Sequence, residues 1–246
     1  GNIPAQKNIL SCVYEGTQVP IDAGLRIETR YFINTQQRPE AKAMIRSLFL
    51  SMQELSKGGN RPAGYDKAEF KKIAVIGAGL MGAGIAYVQA KAGIPTVLVD
   101  VSKENAEKGK DYARRLVEKD LSRGKTTQEK GDRLLDLITT TDSYDDVKGS
   151  DLVVEAVFEN PELKAKITKM AEDVISADAI FGSNTSTLPI TGLAEASQRP
   201  ENFIGIHFFS PVERMGLVEI ITGEKTSEET LAKSIDYVLA IRKTPH

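Results

Sequence analysis

Residues 71–100 read KKIAVIGAGLMGAGIAYVQAKAGIPTVLVD, and this stretch decides the fold. A β-branched run over 73–76 meets a Gly-x-Gly-x-x-Gly turn at Gly77, Gly79 and Gly82. An alanine-rich helical pattern follows to Ala92, and a second apolar strand over 96–99 stops on Asp100. Each part has a mechanical role in binding a dinucleotide. Gly77 permits the tight turn out of the strand, Gly79 lets the backbone approach a pyrophosphate, and Gly82 lets the helix lie close on the sheet. The helix start offers unpaired N–H groups and the positive end of its dipole to phosphates, so Leu80 and Met81 count with the glycines as cofactor-binding positions. Asp100, 23 residues after Gly77, can accept hydrogen bonds from both adenosine ribose hydroxyls and would repel a 2′-phosphate. NAD is therefore expected over NADP. Gly-x-Gly-x-x-Gly alone is a weak signal, whereas strand, glycines, helix, strand and acid in this order are a specific one.

Outward from that unit the chain alternates strands and helices. Ser102 is placed to cap a long charged helix reaching Ser122. Thr127 precedes another helix, and short strands are expected over 137–141, 151–157, 179–183, 203–209 and 217–221. Helices are expected over 161–175 and 228–242. Strands separated by helical segments predict parallel βαβ units: an α/β, doubly wound Rossmann sheet, mostly parallel, occupying 67–246. In such sheets ligands sit beyond the carboxyl ends of the strands. Those ends supply Ala156, Val157 and Glu159, then Ser183, Asn184 and Ser186, then His207.

Residues 1–66 show no convincing strand. Helical spacing runs over 4–14, 22–34 and 39–57, with Ala41, Ile45, Leu48, Phe49 and Met52 sharing a face of the last. Residues 57–64 (KGGNRPAG) form a stop signal and linker. Three short helices with one apolar stripe each cannot build much core of their own.

Composition excludes several classes. A net charge of −2 leaves no basic footprint, so nucleic acid is not an expected partner. Cys12 is the only cysteine, which rules out an intrachain disulfide and suits a reducing compartment. No apolar run reaches the roughly 20 residues of a membrane span.

A histidine at a strand end is as often structural as catalytic, but the surroundings of His207 tip the reading. Ser210-Pro211 must break its strand, and a new one begins near Gly216. If the two form an antiparallel hairpin centred on Glu213, His207 faces Glu219, with Cβ atoms about 5 Å apart. A carboxylate on one ring nitrogen fixes the tautomer and leaves the other nitrogen as a general base. Beside a nicotinamide, that base would take the proton of a substrate hydroxyl while hydride leaves the same carbon.

The motifs IGAGLMGAGIA, VVEAVFENPELK, GSNTSTLPIT and HFFSPVERMGLVEII, in this order, resemble the L-3-hydroxyacyl-CoA dehydrogenase family over 70–246. The stretches GTQVPIDAGLRIETRYF and RPEAKAMIRSLFL are similar to the terminal helices of an enoyl-CoA hydratase/isomerase domain, so 1–66 reads as that tail plus linker. Together they resemble the multifunctional enzymes of fatty-acid β-oxidation, the α-subunit type of the trifunctional complex. The resemblance implies His207 as catalytic base, Glu219 as its partner and Ser186 at the substrate hydroxyl or nicotinamide. It also implies Ala156, Val157, Glu159, Lys164 and Asn184 along the cofactor cleft. Single-function relatives carry asparagine where this chain has Ser210, a substrate-contacting position. An acyl-CoA substrate, a 3-ketoacyl-CoA thiolase partner, and a cytoplasmic location (mitochondrial for a mitochondrial parent) are further implications. So is a helical domain after residue 246 that closes the substrate site, without which the chain would bind NAD but turn over little. Two rival classes fit these residues less well. A non-catalytic NAD-sensing module needs no base at the nicotinamide, and a 6-phosphogluconate-like dehydrogenase would use a lysine motif that this chain lacks.

Overall fold

The computed structural model describes residues 3–246, and these divide into two units between Lys57 and Gly58. The first unit is helical. Helix α1 (Pro4–Gly16) and α2 (Ile21–Gln36) are joined through Glu15, which accepts from Arg30 at 2.5 Å and from the Tyr31 hydroxyl. Helix α3 (Pro39–Ile45) runs through a π-helical stretch, Arg46–Ser51, into α4 (Met52–Ser56). The sequence predicts one continuous α-helix over 39–57, and the wider π turn interrupts it. None of the residues of these helices is buried; Leu10 is 71% exposed and Phe49 69%. One apolar stripe per short helix makes no enclosed core, as the spacing implies.

The second unit is the sheet. Its elements in order are β1 (Ile73–Ile76), α5 (Leu80–Lys91), β2 (Thr96–Val99), α6 (Lys103–Ser122), α7 (Gln128–Asp136), β3 (Ile138–Thr141) and β4 (Leu152–Glu155). Then follow α8 (Pro161–Glu172), β5 (Ile180–Ser183), α9 (Ile190–Ala194), β6 (Phe203–Phe208), β7 (Leu217–Thr222), α10 (Glu228–Ala240) and β8 (Thr244–Pro245). The strand order is β3-β2-β1-β4-β5-β6-β7-β8, parallel throughout except for the antiparallel β6–β7 pair. Strands β1, β2, β4 and β5 are buried at every position because helices cover both faces, which is why they read as continuous apolar runs rather than alternating ones. One core lies on the α5, α6 and α10 side around Ile85, Leu98, Ile206 and Tyr237. The other lies on the α8 and α9 side around Val153, Phe181 and Phe203.

The expected caps form. Ser102 accepts from the Asn105 amide and Thr127 from Lys130, and Asn160 and Ser227 cap α8 and α10 in the same way. Each such cap is worth about 1 kcal/mol. Helix α10 stops at Ala240 rather than at Arg242, which adopts a left-handed backbone (φ 60°) and sends the chain back as β8. Neither β8 nor the five-residue α9 is legible in the sequence, being too short to show periodicity. Order reverses between β1 and β4, so the carboxyl ends of β1, β4, β5 and β6 make one continuous rim.

Candidate cofactor and catalytic site

The rim begins where β1 ends. Gly77 has φ +98°, and a Cβ on it would stand 2.7 Å from the Ala156 carbonyl, so the β1 exit lies directly against the β4 exit. A Cβ on Gly82 would stand 1.7 Å from the Gly77 carbonyl oxygen, so α5 can start this close to its own strand only with glycine there. Gly79 caps α5 and faces open space, with nothing within 4 Å of its would-be Cβ. Leu80 beside it is exposed, and Met81 packs partly against the core. The first-turn amides of α5 therefore face an unobstructed surface, as phosphate binding requires.

Asp100 ties this turn to the end of β2. Its Oδ2 accepts from the Ala78 amide at 2.7 Å, and Oδ1 accepts from the Val101 amide at 2.7 Å and from Asn105 Nδ2 at 3.4 Å. A carboxylate offers about four acceptor positions, so one remains for a ribose hydroxyl. The donors and the open glycine face fit a dinucleotide.

At the end of β4 stands Glu155, which the sequence reading passed over. It is 1% exposed and accepts from the Val157 amide (2.8 Å), Ser183 Oγ (2.8 Å) and Lys164 Nζ (2.7 Å). A charged residue inside the apolar run DLVVEAV, nine residues before a lysine, is the signal that could have found it. Lys164 itself does not line an open surface. Its ammonium is 2% exposed, enclosed by Glu155 and the Val157 carbonyl, and reaches the cleft through Glu159, 3.5 Å away. Ala156 and Val157 are half-buried between these groups, and Phe158 projects outward, 87% exposed.

Glu159 holds the loop after β5. Its Oε1 accepts from the Ser186 amide (2.7 Å) and hydroxyl (3.1 Å), and its Oε2 from Thr185 Oγ1 (2.9 Å). Burial pushes its pKa up, but the Ser186 amide, the Thr185 hydroxyl and Lys164 outweigh that and leave it below the usual glutamate value. Asn184 bridges onward, its Oδ1 accepting from the Phe208 amide at 2.8 Å.

At the end of β6, His207 pairs with Glu219 in register, and Nδ1 lies 2.7 Å from Glu219 Oε2. Phe209 meets the imidazole edge-on at 4.8 Å between centroids. Among the described residues Nε2 has no hydrogen-bond partner. Ser210 is exposed on the following loop. That loop is pinned by Tyr112, whose hydroxyl donates to Glu213 (2.8 Å), and by Lys243, whose ammonium donates to the Val212 and Met215 carbonyls (2.6 and 2.5 Å). Burial together with the Glu213 carboxylate pushes the Tyr112 phenol up to about 12. From β1 to β6 is three strand spacings, roughly 14 Å, so the glycine turn and His207 lie at opposite ends of one rim.

A cavity of about 470 Å³ lined by Tyr87, Lys91, Val117, Lys130 and Leu134 opens at the opposite end of the sheet, near the strand starts. It has no part in this constellation. No helix among the described residues is long and apolar enough to cross a membrane.

Known proteins share this fold. The family profile described as "3-hydroxyacyl-CoA dehydrogenase, NAD binding domain" matches residues 72–246. The fatty acid oxidation complex subunit alpha of Shewanella amazonensis is 42% identical over all of this chain, which spans 35% of that protein's length. Among solved structures, (S)-3-hydroxybutyryl-CoA dehydrogenase from Ralstonia eutropha superposes with a TM-score of 0.70 at 37% identity, covering 72% of this chain and 62% of that one. The dehydrogenase part of multifunctional enzyme 1 from C. elegans gives 0.66 at 29% identity, covering 74% and 42%. With its fingerprint turn, parallel sheet and matched span, the chain belongs to the 3-hydroxyacyl-CoA dehydrogenase family, as its NAD-binding domain.

Proposed function

We propose that this chain is the cofactor-binding part of an NAD-dependent dehydrogenase that oxidises L-3-hydroxyacyl-CoA to 3-oxoacyl-CoA in fatty-acid β-oxidation. The observation that carries the reading is the 2.7 Å contact between His207 Nδ1 and Glu219 at the strand ends, with Nε2 left free. When bound, NAD⁺ supplies the two-electron acceptor for the hydride of the substrate's C3. His207 Nε2 takes the hydroxyl proton as the C3–O double bond forms, and Glu219 offsets the charge of the imidazolium. The Ser186 hydroxyl, oriented by Glu159, is placed to contact the substrate oxygen or the nicotinamide. Ser210 takes the position of a substrate contact, and Asp100 with the glycine turn holds the adenosine half. A sensing module would have no use for the His207–Glu219 dyad.

In this reading residues 1–66 are the tail of a hydratase/isomerase domain plus linker, and 67–246 are the NAD-binding domain. The intact protein also carries hydratase chemistry, works with a 3-ketoacyl-CoA thiolase subunit and acts in the cytoplasm. A helical substrate domain completes the acyl-CoA site, so the 246 residues alone bind NAD but turn over little. The test is NADH titration of this chain beside a turnover assay of the full-length protein with L-3-hydroxyacyl-CoA. Binding by the chain with turnover only in the longer protein is expected. No NADH binding, or no 3-oxoacyl-CoA from the full-length protein, would overturn the reading.

A further inference from the structure

The cavity at the strand-start end of the sheet combines an aliphatic lining with unpaired cations and one unpaired buried donor. It lies between the end of α5, the end of α6 and α7, and encloses about 470 Å³. Small-molecule sites usually measure roughly 300–1,000 Å³. The gap is not a loosely packed seam, because α6 and α7 meet closely at Gly131, where a Cβ would stand 2.6 Å from Val117 Cγ1. Ala90, Val117, Leu134 and Leu137 supply the aliphatic surface. Lys91, Lys125 and Lys130 stand around it, exposed, and their ammonium groups have no ion-pair or hydrogen-bond partner among the described residues. Asp120 is the single acid among the lining residues, and the lining Arg133 is already paired with Glu129 at 2.5 Å.

Tyr87 adds a second, independent observation. It lines the cavity and is only 3% exposed, yet its hydroxyl makes no hydrogen bond to any described residue. A buried phenol ordinarily finds a partner, because an unpaired donor bears the full cost of its lost water. Lys91 Nζ lies 5.5 Å from the centre of the same ring, which puts a cation beside the unpaired donor. Burial, with the Asp120 and Glu213 carboxylates adding to it, pushes the phenol up, so the hydroxyl keeps the proton it would donate.

We propose that this cavity is a second binding site, separate from the cofactor cleft, for an aliphatic monoanion: a medium-chain carboxylate. One carboxylate oxygen accepts from the Tyr87 hydroxyl, the lysines offset the charge, and the alkyl chain lies on Val117, Leu134 and Leu137. The walls offer no aromatic face free for a base, since Lys91 covers that of Tyr87. A dianion would carry a larger desolvation cost than one phenol and a rim of exposed lysines offset. The proposal holds or fails independently of the dehydrogenase reading.

The test is titration of this chain with octanoate, followed by amide NMR and calorimetry, beside 1-octanol, acetate and AMP. Octanoate should shift the amides of Tyr87, Lys91, Val117 and Lys130, and 1-octanol and acetate should bind at least about tenfold more weakly. Tyr87→Phe should weaken octanoate roughly tenfold, the effect of losing a hydrogen bond to a charged acceptor. Its Tm should stay close to that of the unmutated chain, since the hydroxyl has no partner to lose. Lys91→Gln/Lys130→Gln, at exposed positions, should weaken octanoate at least as much, and it decides alone if Tyr87→Phe does not fold. NADH affinity should be the same with and without octanoate. Octanoate shifts confined to the glycine turn, competition with NADH, or equal binding of 1-octanol would overturn the proposal. So would unchanged octanoate affinity in the folded variants, or AMP filling the cavity while octanoate does not.

Discussion

His207 and Glu219 face each other across the antiparallel β6–β7 ladder, with Nδ1 2.7 Å from the carboxylate. Because they are a paired position, the contact is set by strand register and not by a flexible loop. His207→Gln in the full-length protein should lower kcat by roughly 10²–10⁴, the range for losing a general base. Glu219→Gln should lower it less, since the ring keeps a hydrogen-bond partner but loses a charge. NADH affinity should barely change in either. A near-normal rate in His207→Gln would place the base elsewhere.

Asp100 serves two ends at once. NADH should bind clearly tighter than NADPH, and Asp100→Ala should narrow that preference by removing both the ribose acceptor and the repulsion of a 2′-phosphate. Because Oδ2 also accepts from the Ala78 amide, the same change should weaken NADH binding by loosening the glycine turn. Titration with both cofactors checks this, and equal affinities in the unmutated chain would refute it.

Gly82→Ala should be among the most damaging single-methyl changes in the sheet unit. The new Cβ would meet the Gly77 carbonyl oxygen at 1.7 Å, so α5 must move off β1. Overpacking of this kind costs on the order of 1–3 kcal/mol. Urea unfolding should show that loss, with NADH binding reduced further because the phosphate-facing turn is displaced.

Glu159 carries a pH dependence. Its folded-state pKa lies below the ordinary value, so its hold on Ser186 is fully present above about pH 4.3 and is lost as pH falls through the lowered value. The Ser186 amide followed by NMR should titrate with a midpoint below about 4.3, and Glu159→Gln should abolish the transition. A midpoint above that would mean burial outweighs the hydrogen bonds.

The start of the second unit is clamped to α10. Arg61 Nε and Nη2 bond both oxygens of Asp236 at 2.7 and 2.9 Å, and the Ala68 amide donates to the same carboxylate. Arg61→Met would leave a buried carboxylate without its cation, a change that typically costs on the order of 3–5 kcal/mol. Denaturant unfolding monitored on α10 should register it, and a loss under about 1 kcal/mol would show the site open enough to rehydrate.

Much of this molecule was decided by local sequence. The glycine turn, Asp100, the N-caps Ser102 and Thr127, and the buried strands follow from backbone stereochemistry and from apolar runs that act over a few residues. Even the His207–Glu219 pairing was legible, because an antiparallel hairpin links register to sequence distance. What the sequence could not decide depends on parallel neighbours far apart in the chain. Glu155, Ser183 and the Asn184–Phe208 link converge only because β4, β5 and β6 lie side by side, and parallel crossovers set that adjacency without any local code. Lys164 reads in the sequence as a cleft residue. Tertiary packing turns it inward, where its ammonium lies 2.7 Å from the buried Glu155 carboxylate, a contact that depends on α8 lying against the end of β4. The short β8 and the loop held by Lys243 likewise arise from contacts that no periodicity announces.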